Sequence, residues 1–171
     1  MILREATPAD VSALSELAIA SFNAKFAHLY SPENLTAFLT ENLSEPAITA
    51  EFANPDRVYR LAESTSGALL GYAKIGLTCG FPDYARGSRV MELKQLYTAP
   101  EATGKGIGGA LMDWAMDQFA ARAVDEVQLS VYAHNEGAHR FYARYGFAKV
   151  ADITFQVGDH IDPEFLFARM L

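Results

Sequence analysis

The chain has 171 residues, of which 50% are hydrophobic and 20% are charged, and its formal net charge is −7. This length and composition favour one folded domain, residues 1–171, with an apolar core. The acidic balance and the absence of any Lys/Arg run argue against a nucleic-acid-binding protein, because such proteins neutralise phosphates with basic side chains.

The N-terminal part of the chain predicts a short strand followed by helices. Residues 2–6 have a strand-like pattern. Thr7 and Pro8 then mark a helix start, since Thr caps helices well and Pro suits the first helical position. A second helix begins at "SPEN", with Ser31 as its cap, and a third, short helix is expected within residues 45–55.

The pattern changes at residue 57, where strands become frequent. Strand patterns over residues 57–63 and 68–77, separated by "STSG", predict a hairpin, and residues 89–98 predict another strand after a loop. Further along come an apolar helix, a buried strand "VQLSVYA", a helix "NEGAHRFYARYG", and two strands around the turn "GDHIDP", which are residues 147–157 and 164–171. Strands interleaved with helices indicate an α/β (α+β) domain.

A glycine-rich segment, "TGKGIGG" (residues 103–109), directly precedes the apolar helix. Its glycines are Gly104, Gly106, Gly108 and Gly109. Close packing between helix and strand explains one or two of them, but hardly all. Consecutive glycines allow several backbone N–H groups to turn inward, and the start of a helix adds a partial positive charge. With Lys105 as a further cation, the segment predicts a cradle for an anion such as a diphosphate.

The glycine spacing also fits the G-x-G-x-x-G of dinucleotide-binding folds, but its context does not. Residues 99–103 separate the glycines from the preceding strand, and Asp125 and Glu126 precede the next strand rather than ending it. No G-K-[ST] ends the run, which excludes a Walker A loop. A nicotinamide-dependent oxidoreductase is therefore the weaker alternative.

Two segments, taken in order, resemble a known family. "LYTAPEATGKGIGGALM" and "VYAHNEGAHRFYARYGF" are similar to the motifs of the GCN5-related N-acetyltransferases (GNAT), which move an acetyl group from acetyl-CoA to an amine. Thr103 stands where the family usually has Gln or Arg. The second motif is filled by Asn135, Ala138, Phe141, Tyr142, Gly146 and Phe147. The resemblance implies a single-domain GNAT fold, a mixed central sheet of about seven strands flanked by helices on both faces.

The resemblance assigns acetyl-CoA, the co-substrate, to the glycine segment and the strand before it. The diphosphate is expected at Thr103, Gly104, Lys105, Gly106, Ile107, Gly108 and Gly109. The backbone around Leu96, Tyr97 and Thr98, where the central strand separates from its neighbour, is expected to hold the pantetheine arm and polarise the carbonyl. Asn135 is expected to bond the pantetheine or to anchor the loop, and it also suits a helix N-cap.

The same resemblance provides two catalytic candidates. Tyr142 matches the tyrosine that protonates the CoA sulfur, and a phenol with a pKa of about 10 suits that task. Packing in the core is the alternative role for Tyr142. For Tyr145, packing is the expected role. Glu92 is the candidate base, because the histone-acetylating branch uses a glutamate on this strand, and strand alternation puts it on the face of Lys94 and Leu96. The alternative role for Glu92 is a surface ion pair with Lys94, and the alternative base is an ordered water.

The expected acceptor is a primary amine of a small molecule. Around the central strand the chain carries an aromatic and weakly acidic set, namely Phe26, His28, Tyr30, Phe81, Asp83 and Tyr84. Such residues hold an alkylammonium by cation–π contacts and a carboxylate, and "ELKQLYTAPE" resembles a polyamine-acetylating bacterial subgroup. A polyamine is therefore favoured. A peptide or protein N-terminus is the alternative acceptor, and a non-catalytic acyl-CoA sensor is the alternative function.

The remaining features bear on the cellular compartment, metal binding and subunit assembly of the protein. No stretch approaches the roughly 20 apolar residues that cross a bilayer, and no secretory signal is visible. Cys79, the only cysteine, excludes an internal disulfide and suits a reducing cytosol. We therefore expect a cytoplasmic protein without a membrane partner. The histidines have no metal-binding spacing, so no metal is expected, and pairing of the C-terminal strands between subunits, as in relatives, suggests a homodimer.

Overall fold

The computed structural model describes residues 1–171, which form seven strands and five α-helices. The strands are β1 (Ile2–Glu5), β2 (Arg57–Glu63), β3 (Leu69–Gly76), β4 (Val90–Thr98), β5 (Glu126–Tyr132), β6 (Ala148–Val157) and β7 (His160–Met170). The helices are α1 (Val11–Phe26), α2 (Pro32–Asn42), α3 (Glu45–Phe52), α4 (Ile107–Ala121) and α5 (Glu136–Arg144). The predicted α/β class is confirmed.

All strands join one mixed sheet in the order β1-β2-β3-β4-β5-β7-β6, in which β4 and β5 are the only parallel neighbours. The parallel pairing is short, and it ends where Glu92 lies opposite Gln128. Beyond this point β4 continues to Thr98 and β5 continues to Tyr132 without pairing to each other. The two strands therefore separate and leave a gap in the middle of the sheet.

A β-bulge at Lys94 changes the alternation of side chains along β4. Leu93 and Gln95 lie opposite consecutive residues of β3, so Lys94 is an extra residue. The carboxylate of Glu92 lies 2.7 Å from the Lys94 ammonium, so these two share a face as predicted. The prediction that Leu96 shares that face is wrong, because the bulge shifts the alternation by one residue and turns Leu96 to the opposite side.

Helices cover both faces of the sheet. A Cβ at Gly71 of β3 would lie 3.1 Å from Ile107, which shows that this residue faces α4. The next residue, Tyr72, faces the other way and stacks on Tyr59, which contacts Phe52 of α3. Buried side chains from both sides form one continuous core. None of the helices has the length and apolarity needed to cross a membrane.

The loop between β3 and β4, residues 77–89, is held by acidic side chains at the start of β5. Two backbone N–H groups of the loop donate to Glu126 at 2.6 and 2.7 Å, and two more donate to Asp125, each at 2.8 Å. The neutral Gln128 amide accepts from the Phe81 N–H at 3.3 Å and donates to the Phe81 carbonyl at 3.1 Å. Hydrogen bonds to charged acceptors are strong, so this long loop has a defined position beside β4.

The end of the chain differs from the prediction. The sequence predicts a turn over residues 158–163, but β7 already begins at His160. The turn shrinks to two residues, and Gly158 has a φ of +57°, which glycine adopts without strain. Pro163 lies inside the strand, and its carbonyl accepts a hydrogen bond from the Ala133 N–H at 3.0 Å. Long-range pairing with β6 and β5 therefore overrides the local turn signal.

The close approach of β3 and β4 at Gly71 can be tested by substitution. A Cβ at this position would lie 2.7 Å from the backbone oxygen of Tyr97. We expect Gly71→Ala to lower the free energy of unfolding by about 1–3 kcal/mol, because overpacking forces the backbone to move. Urea unfolding followed by circular dichroism measures this change. Gly137→Ala is the control, since its Cβ would meet no atom closer than 3.8 Å, and equal destabilisation of both variants would contradict the explanation.

Candidate active site

The glycine turn before α4 forms an open backbone cradle. Gly104 and Gly106 both have a φ of +79°, which residues with a side chain rarely adopt. A Cβ at either position would meet nothing within 4 Å, so glycine is needed for backbone direction rather than for space. Gly106 is the N-cap residue of α4. The N–H groups of the first helical turn, residues 107–109, therefore lack intrahelical partners and favour an anion.

The side chains around the cradle also suit an anion. Lys25 of α1 and Arg144 of α5 line it and no Asp or Glu does, although the whole chain carries a net charge of −7. Lys105 is exposed on the turn itself. The Thr103 hydroxyl lies 3.4 Å from the carbonyl oxygen of Ala99, so it ties the turn to the end of β4 rather than reaching outward. Sequence analysis missed Lys25 and Arg144, because no motif position marks them.

The gap between β4 and β5 opens beside the cradle. The Ala99 N–H donates to the Leu70 carbonyl at 2.9 Å, toward β3. Because successive N–H groups of a strand alternate in direction, Tyr97 directs its N–H toward β3 as well. Leu96 and Thr98 direct theirs into the gap. Two unpaired backbone donors therefore lie in the wall of the gap, within the segment that the sequence predicts.

Tyr142 and Asn135 line both the cradle and the gap. Tyr142 is half-buried, and burial raises the pKa of its phenol above the ordinary value, so the hydroxyl stays protonated at neutral pH. The side-chain oxygen of Asn135 accepts a backbone N–H of α5 at 3.1 Å, which confirms the N-cap and leaves its NH₂ group for a ligand. Tyr145 instead donates to the Gly109 carbonyl and the Asp113 carboxylate, at 3.2 and 3.0 Å, and ties α5 to α4.

Beneath α2 and α3, the gap continues into a cavity of about 550 Å³. The wall shared by the gap and the cavity is formed by Phe38, Lys94, Gln95, Ser130, Phe155 and Glu164. Cavities of this size hold small molecules. The cradle, the gap and the cavity adjoin one another through shared lining residues, and together they are called the channel.

The cations of the cavity are already paired with carboxylates. The pairs are Lys74–Glu51 at 2.8 Å, Arg57–Glu51 at 3.5 Å and Lys94–Glu92 at 2.7 Å. Two carboxylates of the cavity wall, Glu41 and Glu164, have no cation partner; Glu41 is exposed at the surface. Glu164 lies deeper, and its Oε2 atom is buried without any hydrogen bond. The uncompensated charge of the cavity is therefore negative, which favours a cationic ligand.

Glu164 is a candidate that sequence analysis missed. Burial of its carboxyl group raises the pKa to about 7; the neighbouring Ser130 opposes this rise, and the charge of Asp162 adds to it. The available signal was a glutamate at the start of an apolar strand, "EFLF". The sequence places it at the start of the strand predicted over residues 164–171, but nothing local shows that this position faces the gap.

Only part of the predicted acceptor lining is found in the channel. Phe26 and Tyr30 line the gap, and Phe81 lines the cavity. The prediction is wrong for His28, Asp83 and Tyr84, which line neither space, because the helical turn and the loop that carry them direct these side chains elsewhere. The Tyr30 hydroxyl donates to Asp162, whose second oxygen lies 3.0 Å from the His160 Nε2 atom. These contacts fasten the segment between α1 and α2 to β7.

The family model of the acetyltransferase (GNAT) family matches residues 23–147. The chain belongs to the GNAT acetyltransferase family. It is an acetyl-CoA-dependent N-acetyltransferase that acts on an amine acceptor, as the resemblance implied. The weaker nicotinamide alternative is set aside, since the glycine turn follows β4 of a mixed sheet rather than the first strand of a parallel one.

Individual relatives agree with this family. An uncharacterised N-acetyltransferase of Mycobacterium bovis is 29% identical over 95% of this chain and 98% of its own length. The spermidine N(1)-acetyltransferase of Thermoplasma acidophilum is 27% identical over 88% of this chain and 89% of its own. The solved PaiA N-acetyltransferase of Thermoplasma acidophilum, in complex with coenzyme A, has a TM-score of 0.79 at 23% identity and covers 99% of this chain and 98% of that one. That structure shares the fold.

The residues of the GNAT cradle fit the phosphates of CoA. Free amides at the start of α4 and two lining cations, Lys25 and Arg144, face a space without carboxylates. No group of three or more His, Cys, Asp or Glu side chains in residues 1–171 is placed to hold a metal ion.

The role of backbone direction in the cradle leads to a binding prediction. We expect Gly106→Ala to weaken CoA binding about tenfold, because the positive φ costs alanine about 1–2 kcal/mol and the turn relaxes away from it. Isothermal titration calorimetry with CoA measures the change. Gly67→Ala is the matched control, since Gly67 has a φ of +88° and open space but lies in the β2–β3 turn. Equal loss of CoA affinity in the control would contradict a local role for Gly106.

Proposed function

We propose that this GNAT enzyme acetylates a primary amine of a small polyamine, or of a similar alkylamine, by direct transfer from acetyl-CoA. The observation that carries this proposal is the division of charge along the channel. Cations without carboxylates surround the cradle, whereas the deepest unpaired charge at the other end is a carboxylate. A relative named for spermidine N(1)-acetylation supports the same acceptor class.

The co-substrate is held mainly by the backbone in this proposal. The amides of residues 104–109 bind the diphosphate, with Lys25, Lys105 and Arg144 as cations near it. The short Thr103 contributes no long polar arm, so these amides carry most of the binding. The acetyl group itself is supplied by acetyl-CoA. The N–H groups of Leu96 and Thr98 stabilise negative charge on its carbonyl oxygen, and they need no reorganisation to do so.

Tyr142 is proposed as the acid and Asn135 as a pantetheine contact. Both lie where the cradle meets the gap, and burial raises the pKa of Tyr142, so its hydroxyl is protonated at neutral pH and can donate to the CoA sulfur. Direct transfer follows the family resemblance, which implies no covalent enzyme intermediate, and the only cysteine is not placed to form one. The Cys79 thiol donates to Gln128 at 3.3 Å and lies outside the channel lining.

Glu92, the base expected from the sequence, lines the cavity with an ammonium against it. The Lys94 ammonium lies 2.7 Å from this carboxylate, so Glu92 is already engaged in an ion pair. The loop also covers it, since a Cβ at Gly80 would lie 2.1 Å from the Glu92 Oε2 atom. We therefore propose Glu92 as a neutralising partner of Lys94 in the cavity wall, with ordered water as a proton path beside it.

An acceptor panel tests the proposed function. We expect CoA release above background with spermidine, spermine and related diamines, because each brings an ammonium to the unpaired carboxylate while its methylenes pack on Phe26 and Tyr30. A thiol-reactive dye measures CoA release. Amino acids, aminoglycosides and peptides with a free N-terminus form the comparison set. Turnover with a peptide but not with any polyamine would refute the acceptor class.

The assignment of Tyr142 is tested by removing only its hydroxyl. We expect Tyr142→Phe to lower kcat by about 100-fold or more, the usual contribution of a general acid, with CoA affinity changed less than about twofold. Steady-state kinetics and calorimetry measure the two effects. Tyr145→Phe is the matched control, and it should lose about 1 kcal/mol of stability but keep kcat, because its hydrogen bonds join two helices. A Tyr142→Phe variant with normal kcat would assign Tyr142 to packing, and a wild-type protein that binds CoA without any turnover would be a sensor.

A further inference from the structure

We infer that Glu164 is the general base, the group that takes a proton from the acceptor ammonium at the junction of the gap and the cavity. This inference rests on the proposed function, since it requires an amine in the cavity. It assigns the base to β7 rather than to β4.

The position of Glu164 meets the geometric requirement for this role. On β7 it lies opposite Tyr132 of β5, in the wall that the gap and the cavity share. Tyr142 enters the gap from α5, which packs on the other face of β7, where the rings of His139 and Phe165 are 5.4 Å apart. An acid and a base therefore reach the opening in the sheet from its two sides.

Tyr97 provides a second indication that Tyr142 and Glu164 lie close to the same point. Burial raises the pKa of Tyr97, and the nearby Tyr142 and Glu164 each raise it further. Tyr97 belongs to the β4 segment whose neighbouring amides, at Leu96 and Thr98, point into the gap. The carbonyl that these amides polarise and the nitrogen that attacks it thus meet between the two side chains.

Glu164 is also the carboxylate that is free to act. Asp162 accepts hydrogen bonds from Tyr30 and His160, and Glu92 is paired with Lys94. The Oε2 atom of Glu164 is buried and has no partner in the protein. A buried acceptor of this kind costs free energy unless a ligand donates to it, and an ammonium N–H is such a donor.

The ionisable groups around Glu164 come from every element that packs on the channel. In the gap they are Lys94 and Tyr97 of β4, Tyr132 of β5, Lys25 of α1, Tyr30 after α1, Tyr142 of α5 and Asp162 of β7. The cavity adds Glu41 of α2, Glu51 of α3, Arg57 of β2, Lys74 of β3 and Glu92 of β4, whereas β6 contributes no ionisable side chain to either lining. Burial and Asp162 hold the pKa of Glu164 near 7, so a substantial fraction is carboxylate at neutral pH. A base with its pKa near the working pH is the most effective.

The proton and electron balance of the step is complete. One ammonium proton passes to Glu164, and the freed nitrogen lone pair forms the C–N bond with the acetyl carbon. The C–S bond breaks, its electron pair leaves with the sulfur, and Tyr142 protonates the thiolate. A second nitrogen proton, lost as the amide forms, replaces the one that Tyr142 donated, and Glu164 returns its proton to water.

Glu164→Gln tests the inference through a pH profile. In the wild-type enzyme, kcat/KM should rise with pH through about 7 as Glu164 loses its proton. In the variant, kcat/KM at pH 7 should fall about 100-fold, and it should keep rising toward the pKa of a free amine, about 10. CoA affinity, measured by calorimetry, should stay within about twofold.

Three further variants complete the experiment. Glu164→Asp should recover part of the activity together with the rise near pH 7, which a purely structural role would not produce. Glu5→Gln, on the exposed face of β1, is the matched control and should keep the wild-type profile. A wild-type profile in Glu164→Gln would overturn the inference, as would loss of the rise near pH 7 in Glu92→Gln alone. If the wild-type enzyme acetylates no amine at all, the proposed function fails first and the inference fails with it.

Discussion

The separation of β4 from β5 is the constraint on which the rest of the site depends. Pairing stops at Glu92 and Gln128, although both strands continue, so the sheet has an opening in its centre where hydrogen-bonding groups of β4 are unpaired. Unpaired backbone groups in a buried place require partners. In the proposed function a pantetheine amide and a thioester carbonyl provide these partners, which puts the reaction inside the sheet rather than on a surface loop.

Around this opening the chain separates its charges. The net charge is −7, yet no carboxylate lines the cradle, and the cations of the cavity are neutralised one by one. Two substrates of opposite charge can then each recognise one end of the same channel. At one end the first backbone amides of α4 have no other partner in the protein, and at the other end the Oε2 atom of Glu164 has none.

Sequence analysis found the features that depend on near neighbours. Capping at Ser31, the apolar periodicity of α4 and the glycine turn are local, so the element order and the cradle could be predicted. The bulge at Lys94 could not, because one extra residue in "MELKQLYT" leaves no mark in the pattern. The turn over residues 158–163 was predicted wrongly, since pairing with distant strands decides its structure. Glu164 was missed for the same reason, as its surroundings come from elements far apart in the chain.

The channel has a consequence for the order of events. The cradle is lined by the start of α4, by α5 and by Lys25, whereas the cavity is lined by α2, α3 and strands of the sheet. In the proposed function CoA and the amine therefore enter through separate openings, so neither blocks the entrance of the other. A ternary complex can then assemble whichever substrate arrives first.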